Sequence, residues 1–303
     1  MRLRHSLAVL STTCLVLLMV LPSASAQIVH RERSLYSTIL VNKSGNNLCL
    51  QFSVRRDQRN QSCTNTRNPK RMVFAYTKMT MTGLLFTAQP EHILVVGLGG
   101  GTLPVAFRQL FPTALIDTVE IDPAVTRVAK EFFGFQAQPN ITVYDQDARV
   151  WTKRAVRKAR RYDLIVLDAF NGEYIPEHLM TREYLEETKA LLAPGGTLMA
   201  NTFSVSRLYD HESATYAAVF GKFINFQIAE SANRMIIVPG SNVDDAALLA
   251  VARRWRDRLA PYNVPIERYA RRLVKLRGAK PDWRTDAQPL TDQYAPANLL
   301  QGN

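Results

Sequence analysis

The sequence predicts an α/β protein: a doubly wound, seven-stranded and mostly parallel sheet, preceded by a small β-hairpin unit. Three observations carry this prediction. From Glu91 to Val238, short apolar runs alternate with amphipathic stretches. From Ser34 to about Phe74 the apolar residues recur every second position rather than every third or fourth. Finally, four successive strand ends carry glycines or acids, and the carboxyl ends of strands are where open α/β sheets bind ligands.

The elements follow in order. Met1–Ala26 has a positive start (Arg2, Arg4, His5), an apolar run over Leu7–Leu21 and a small-x-small site, Ala24-Ser25-Ala26. That is the pattern of a cleaved secretory signal, with an uncleaved anchor as the alternative; either way the body is expected outside the cytoplasm. Tyr36, Thr38 and Leu40, then Leu48, Leu50 and Phe52, alternate around Lys43-Ser44-Gly45-Asn46, which reads as two strands and a turn. The polar stretch Arg55–Lys70 reads as a long loop, and Met72–Phe86 as a helix.

Strands are then expected at His92–Val96, Leu115–Ile121, Ile141–Tyr144, Leu164–Leu167, Thr197–Phe203, Phe226–Ala229 and Met235–Val238. Between them the helices are Thr102–Leu110, Pro123–Phe133, Ala148–Lys158, Thr181–Leu192 and Glu212–Phe223. Proline at the first turn suits the second of these, and Thr102 is a candidate cap for the first. Asp244–Tyr262 reads as a terminal helix and Lys280–Asn303 as a proline-containing tail. The domain plan is therefore 1–26 signal, 27–88 hairpin domain with connecting helix, 89–241 main α/β domain, and 242–303 terminal helix and tail.

A chain of 303 residues with 47% hydrophobic and 21% charged residues excludes a disordered, collagen-like or disulfide-scaffold protein. One apolar segment excludes a multi-pass membrane protein, so membrane contact is expected only through an uncleaved N-terminus. The net charge of +12 reads either as a solvated basic surface or as attraction to an anionic partner. Its clusters, Arg55–Arg71, Lys153–Arg161 and Arg253–Lys280, do not show the aromatic-interleaved pattern typical of an RNA-binding surface, so no nucleic acid is expected. Cleavage would leave Cys49 and Cys63, fourteen positions apart, either as a disulfide or as two buried thiols. No metal site is expected.

Chemistry is expected at the strand ends. The first ends in Gly97-Leu98-Gly99-Gly100-Gly101, whose glycines let backbone approach a ligand. Glu120, 23 positions after Gly97, is placed to grip ribose hydroxyls. A dinucleotide is nevertheless disfavoured: the G-x-G-x-x-G frame meets Thr102 from Gly97 and Pro104 from Gly99. Asp147, Ala148 and Asp168 fit an adenosyl-sulfonium ligand better. Asp147 would accept from the adenine amino group, Ala148 would offer its N–H, and Asp168 would sit near the cationic end. Taken singly, Asp147 and Asp122 also read as helix caps.

At these residues the sequence resembles a known family. His92-Ile-Leu-Val-Val-Gly-Leu-Gly-Gly-Gly-Thr-Leu-Pro104, Thr118-Val-Glu-Ile-Asp-Pro123, Asp145-Gln-Asp-Ala148, Tyr162-Asp-Leu-Ile-Val-Leu-Asp-Ala-Phe-Asn-Gly172, Leu179-Met-Thr-Arg-Glu-Tyr184 and Leu192-Ala-Pro-Gly-Gly196 resemble spermidine synthases. The bacterial spermidine synthase-like proteins, some of them fused to transporter domains, are the nearest match, with a tail pattern at Leu290–Pro296. The resemblance runs from about Leu35 to Leu300. It implies a methyltransferase-like Rossmann fold behind an N-terminal β-hairpin domain. It also implies aminopropyl transfer from decarboxylated S-adenosylmethionine to a polyamine or other small amine acceptor, with a homodimer as the family assembly. Carried over by motif, Gly97, Gly99 and Gly101 line the nucleotide, Glu120 holds the ribose, Asp122 is a further cofactor-binding residue, and Asp147 and Ala148 hold the adenine. Asp168 faces the reacting end, Tyr76 matches the family's tyrosine, and Gln61 its upstream glutamine.

Three departures stand beside this. Gly100 replaces the glycine-loop aspartate of the family, Asn171 its second strand-four acid, and Thr77-Lys78 its His-Glu pair; Glu173 or Asp168 is the candidate substitute. Three readings are therefore kept: an aminopropyltransferase with Asp168 and Tyr76 as catalytic residues, an S-adenosylmethionine-dependent methyltransferase, and an exported non-catalytic protein on the same fold.

Overall fold

The computed structural model describes residues 27–53, 60–136, 138–170 and 174–295. The expected signal over 1–26, together with Asn171, Glu173 and Pro296, lies outside the described residues.

The N-terminal unit is an antiparallel sheet of four strands in chain order, β1 (Gln27–Arg33), β2 (Thr38–Ser44), β3 (Asn47–Ser53) and β4 (Asn60–Asn65). The expected hairpin is β2–β3, joined by the two-residue loop Gly45-Asn46. Gly45 there has φ +56°, the left-handed geometry such tight hairpin loops demand. Two strands were not expected. β1 is polar and largely exposed, and β4 lies inside the stretch read as a loop. β4 holds its place through polar and covalent ties, not through apolar alternation. Gln51 Nε2 donates to Asn60 Oδ1 (2.7 Å), Asn65 Nδ2 donates to Asn47 Oδ1 (3.1 Å), and Cys63 is disulfide-bonded to Cys49 directly across the ladder. The inner face, Ile39, Val41 and Leu50, packs on Ala124, Val125 and Val128 of the helix α3 introduced below.

The segment read as one helix, Met72–Phe86, is instead a short α1 (Ala75–Thr80) followed by a 3₁₀ turn, Met81–Leu85. Its threonines explain the break. Thr77, Thr80 and Thr82 donate their hydroxyls to carbonyls three or four residues back, which tightens and bends a helix.

The main domain runs β5 (His92–Val96), α2 (Thr102–Leu110), β6 (Leu115–Glu120), α3 (Pro123–Phe132), β7 (Ile141–Asp145), α4 (Ala148–Arg157), β8 (Tyr162–Leu167), α5 (Arg182–Lys189), β9 (Leu192–Phe203), α6 (Tyr209–Phe220), β10 (Ile224–Gln227) and β11 (Asn233–Val238). Its seven strands lie in the order β10-β11-β9-β8-β5-β6-β7, parallel except for the two pairings of β11. The chain walks outward from β5 to β7 and then returns to β8 on the other side of β5. This reversal opens a crevice above β5 and β8. Alternate residues of β5 feed the two layers of the core, Ile93 and Val95 one, Leu94 and Val96 the other.

Details differ from expectation. Gly101, not Thr102, precedes α2, and no side chain caps that helix. Pro194-Gly195-Gly196 lies within β9 instead of before it. The expected terminal helix is α7 (Asp245–Leu259) plus a 3₁₀ turn at Ala260–Tyr262, and it is followed by an unexpected α8 (Ile266–Arg277). The spacing of Ile266, Tyr269, Ala270 and Leu273, all buried, was there to read, but the surrounding charge run hid it. The tail is tied down. Leu290 is buried against Met180 and Leu208, and Arg149 grips Asp292 at 2.6 and 2.7 Å. Among the described residues, no helix is long and apolar enough to cross a membrane.

Candidate nucleotide and amine site

The crevice above β5 and β8 is a cavity of about 490 Å³, within the range of about 300–1,000 Å³ usual for small-molecule sites. Its walls come from strand ends of the main sheet, from β4, and from α1.

Strand β5 enters the site through Gly97, at φ +99°. A side chain there would sit 2.2 Å from the carbonyl oxygen of Asp168, so only glycine lets the ends of β5 and β8 meet. Gly97 and Gly99 line the cavity. Gly101 does not; the place of its missing side chain is taken by Phe135, 2.6 Å away, so its role is to join loop and helix. Gly100 likewise faces Ser62 and Phe133 and not the cavity.

Glu120 ends β6, partly buried, with Oε2 accepting the Leu98 N–H (3.1 Å) and Oε1 the Asp122 N–H (3.0 Å). Burial pushes its pKa up while these backbone donors hold it down. Its oxygens keep lone pairs for ribose hydroxyls. Asp122 lines the cavity too, but its carboxylate is engaged by the fold. Oδ1 caps α3 at the Ala124 N–H (2.9 Å), and Oδ2 accepts from the Ser34 hydroxyl (2.5 Å). Asp147 caps α4 through Oδ1 at the Val150 N–H (2.9 Å), and Ala148 stands beside it at the start of that helix.

Asp168 follows β8 at the cavity floor, partly buried. Burial raises its pKa to about 7, opposed by hydrogen bonds from Asn201 and Tyr76. Asn201 Nδ2 donates to Oδ1 at 2.8 Å. The Tyr76 phenol lies between that carboxyl and the Gln61 carbonyl, 3.3 Å from the latter. Its own pKa is driven up by burial first and then by the Asp168 charge, so it stays protonated. Gln61, Tyr76 and Asp168, far apart in sequence, thus meet at one end of the cavity.

Sequence reasoning missed two residues here. Asn201, on β9, is 3% exposed, and its carboxamide oxygen has no partner in the described structure. With its N–H₂ on Asp168, that oxygen is left as an unused acceptor beside the Asp168 carboxyl. His178 lies on the 3₁₀ turn Glu177–Leu179, with Nε2 2.8 Å from Asp147 Oδ2. Neither sits in a motif; only the fold brings them in. Aromatic rings complete this end of the cavity. Phe170 meets Phe203 edge-on at 5.1 Å, and Phe74 stacks on Tyr76 at 5.8 Å.

The arrangement offers an acid-lined nucleotide slot leading to a carboxyl that titrates near neutrality. Comparison with known proteins agrees with that chemistry. Residues 73–240 match the model of the spermine/spermidine synthase domain. A polyamine aminopropyltransferase of Vibrio vulnificus (strain CMCP6) is 48% identical over 277 residues, 90% of this chain and 91% of that one. Among solved structures, a probable spermidine synthase from Corynebacterium glutamicum aligns with TM-score 0.62 at 20% identity, over 86% of this chain and 99% of that one. Human methyltransferase-like protein 13 in complex with SAH shares the fold at TM-score 0.55 and 24% identity, over 75% of this chain and all of that one. With the domain match spanning the entire cavity-bearing sheet and the relative matching nearly end to end, this chain belongs to the spermine/spermidine synthase family.

Proposed function

We propose that the protein transfers an aminopropyl group from decarboxylated S-adenosylmethionine to a small amine acceptor. The observation that carries this is Asp168: a partly buried carboxyl at the floor of the cavity, held at a pKa of about 7 and touched by Asn201 and Tyr76. A polyamine ammonium, with a pKa near ~10 like lysine, is not nucleophilic until it loses a proton. Asp168 in its ionised form, which a pKa of about 7 keeps well populated at neutral pH, accepts that proton, and Tyr76 and Asn201 position the nitrogen. The nitrogen lone pair then attacks the aminopropyl carbon bonded to sulfur. The carbon–sulfur bond breaks, its electron pair stays on sulfur, and a neutral thioether leaves. Gly97, Gly99, Glu120, Asp147 and Ala148 hold the nucleoside, so most of the rate comes from positioning.

S-adenosylmethionine as a methyl donor is the second reading, supported by the fold shared with human methyltransferase-like protein 13 in complex with SAH. The reaction is placed outside the cytoplasm by the same proposal. The buried Cys49–Cys63 disulfide supports this, since oxidising compartments preserve such bonds.

Incubating the protein with decarboxylated S-adenosylmethionine and a diamine, with mass spectrometry of the products, tests the proposal. A product heavier by one aminopropyl unit is expected, and Asp168→Asn is expected to cut the rate by about 10²–10⁴-fold. Methylated amine from S-adenosylmethionine, or no product with either donor, would reject aminopropyl transfer.

A further inference from the structure

We infer that His178 is a specificity-determining residue, which fixes Asp147 as the reader of a 6-aminopurine base; the inference rests on the nucleoside reading above. Asp147 and His178 both line the cavity, as do Pro176 and Leu179 around the histidine. Asp147 has already committed Oδ1 to the Val150 N–H. Its remaining oxygen, Oδ2, is met by His178 Nε2 at 2.8 Å. A carboxylate only accepts, so Nε2 carries the proton and donates. The two bonds together fix the plane of the carboxylate.

The pair is not a device for stability. The His178 side chain is 45% exposed and that of Asp147 28%, and ion pairs so open to solvent add little to folding. What the contact does is hold an acceptor edge still at the cavity wall. An acceptor edge discriminates sharply. It suits the exocyclic N–H₂ of adenine and repels the carbonyl oxygen of a 6-oxopurine. If Asp147 loses His178, Oδ2 is free to take water or turn from the base, and the discrimination falls. No motif announced this role, because His178 stands alone in Pro176-Glu177-His178-Leu179.

The test measures binding of 5′-methylthioadenosine and 5′-methylthioinosine to the wild type, His178→Ala and His178→Gln. The wild type is expected to prefer the amino base. His178→Ala is expected to bind the amino base roughly tenfold more weakly while its affinity for the oxo base changes little, so that selectivity collapses. Glutamine, whose Nε2 also donates, is expected to restore part of the preference. Equal losses for both bases, unchanged affinity, or tighter binding by His178→Ala would overturn the inference while leaving the nucleoside reading intact. A wild type that binds neither thioether would overturn that reading and the inference with it.

Discussion

At the scale of single residues, the account turns on the competition around Asp168. Burial raises its pKa to about 7, and the bonds from Asn201 and Tyr76 work against that rise. The pH profile of kcat/KM for transfer is therefore expected to show an acidic limb near pH 7. Tyr76→Phe removes one of the groups that favours the charged carboxylate, so the limb is expected to move to higher pH; a shift to lower pH would contradict the assignment. The same pKa has a consequence for stability. A carboxyl raised in the folded state stabilises the fold while protonated, and that contribution is lost as pH rises from about 4 through 7. Asp168→Asn is expected to match the wild type near pH 4 and to exceed it by roughly 2–4 kcal/mol at pH 8, read from denaturant midpoints. Much of this site was legible in sequence, because Gly97, Glu120, Asp147 and Asp168 stand at the ends of recognisable strands. Asn201 and His178 were not. One lies in a strand whose sequence carries no other sign of chemistry and the other in an unremarkable turn, and both reach the site through the packing of distant elements.

At the scale of elements, β4 joins the N-terminal sheet to the site. Asn60, Gln61 and Ser62 line the cavity, and the next residue, Cys63, pins the strand to β3. Replacing both cysteines by serine removes a covalent loop fourteen residues long in sequence separation, and a loss of about 2–4 kcal/mol of stability is expected by thermal unfolding. Nucleotide affinity is expected to fall with it, because the wall of the cavity loosens; unchanged stability and affinity would show that β4 holds itself. Strand β4 escaped the sequence reading for the reason it needs the disulfide: apart from Cys63 it has no apolar residue, so no alternation marks it. Elsewhere in the fold, Arg234 is fully buried in β11, bonded to Glu212 at 2.8 Å and to the hydroxyls of Thr202 and Ser213 at 2.7 Å. Arg234→Met leaves Glu212 buried without its charge partner, and about 3–5 kcal/mol of destabilisation is expected.

At the scale of the whole molecule, the sheet order explains why the site lies where it does. The reversal between β5 and β8 brings Gly97 against Asp168, and β9 supplies Asn201 from the next strand over. The alternation of strand and helix over 91–238 was enough to foresee this sheet, because a right-handed crossover chain has few other ways to bury seven apolar strands. The terminal α8 was hidden by its charge, and the break after α1 by threonine hydroxyls that no hydrophobic pattern records. One measurement tests the resulting account most directly: calorimetric titration of the protein with decarboxylated S-adenosylmethionine and, separately, with S-adenosylmethionine. A cavity whose reacting end is the Asp168 carboxyl is expected to bind the decarboxylated donor at least about tenfold more tightly, since a donor carboxylate would meet that charge in a buried site. Tighter binding of S-adenosylmethionine itself would contradict aminopropyl transfer and turn the reading to methyl transfer.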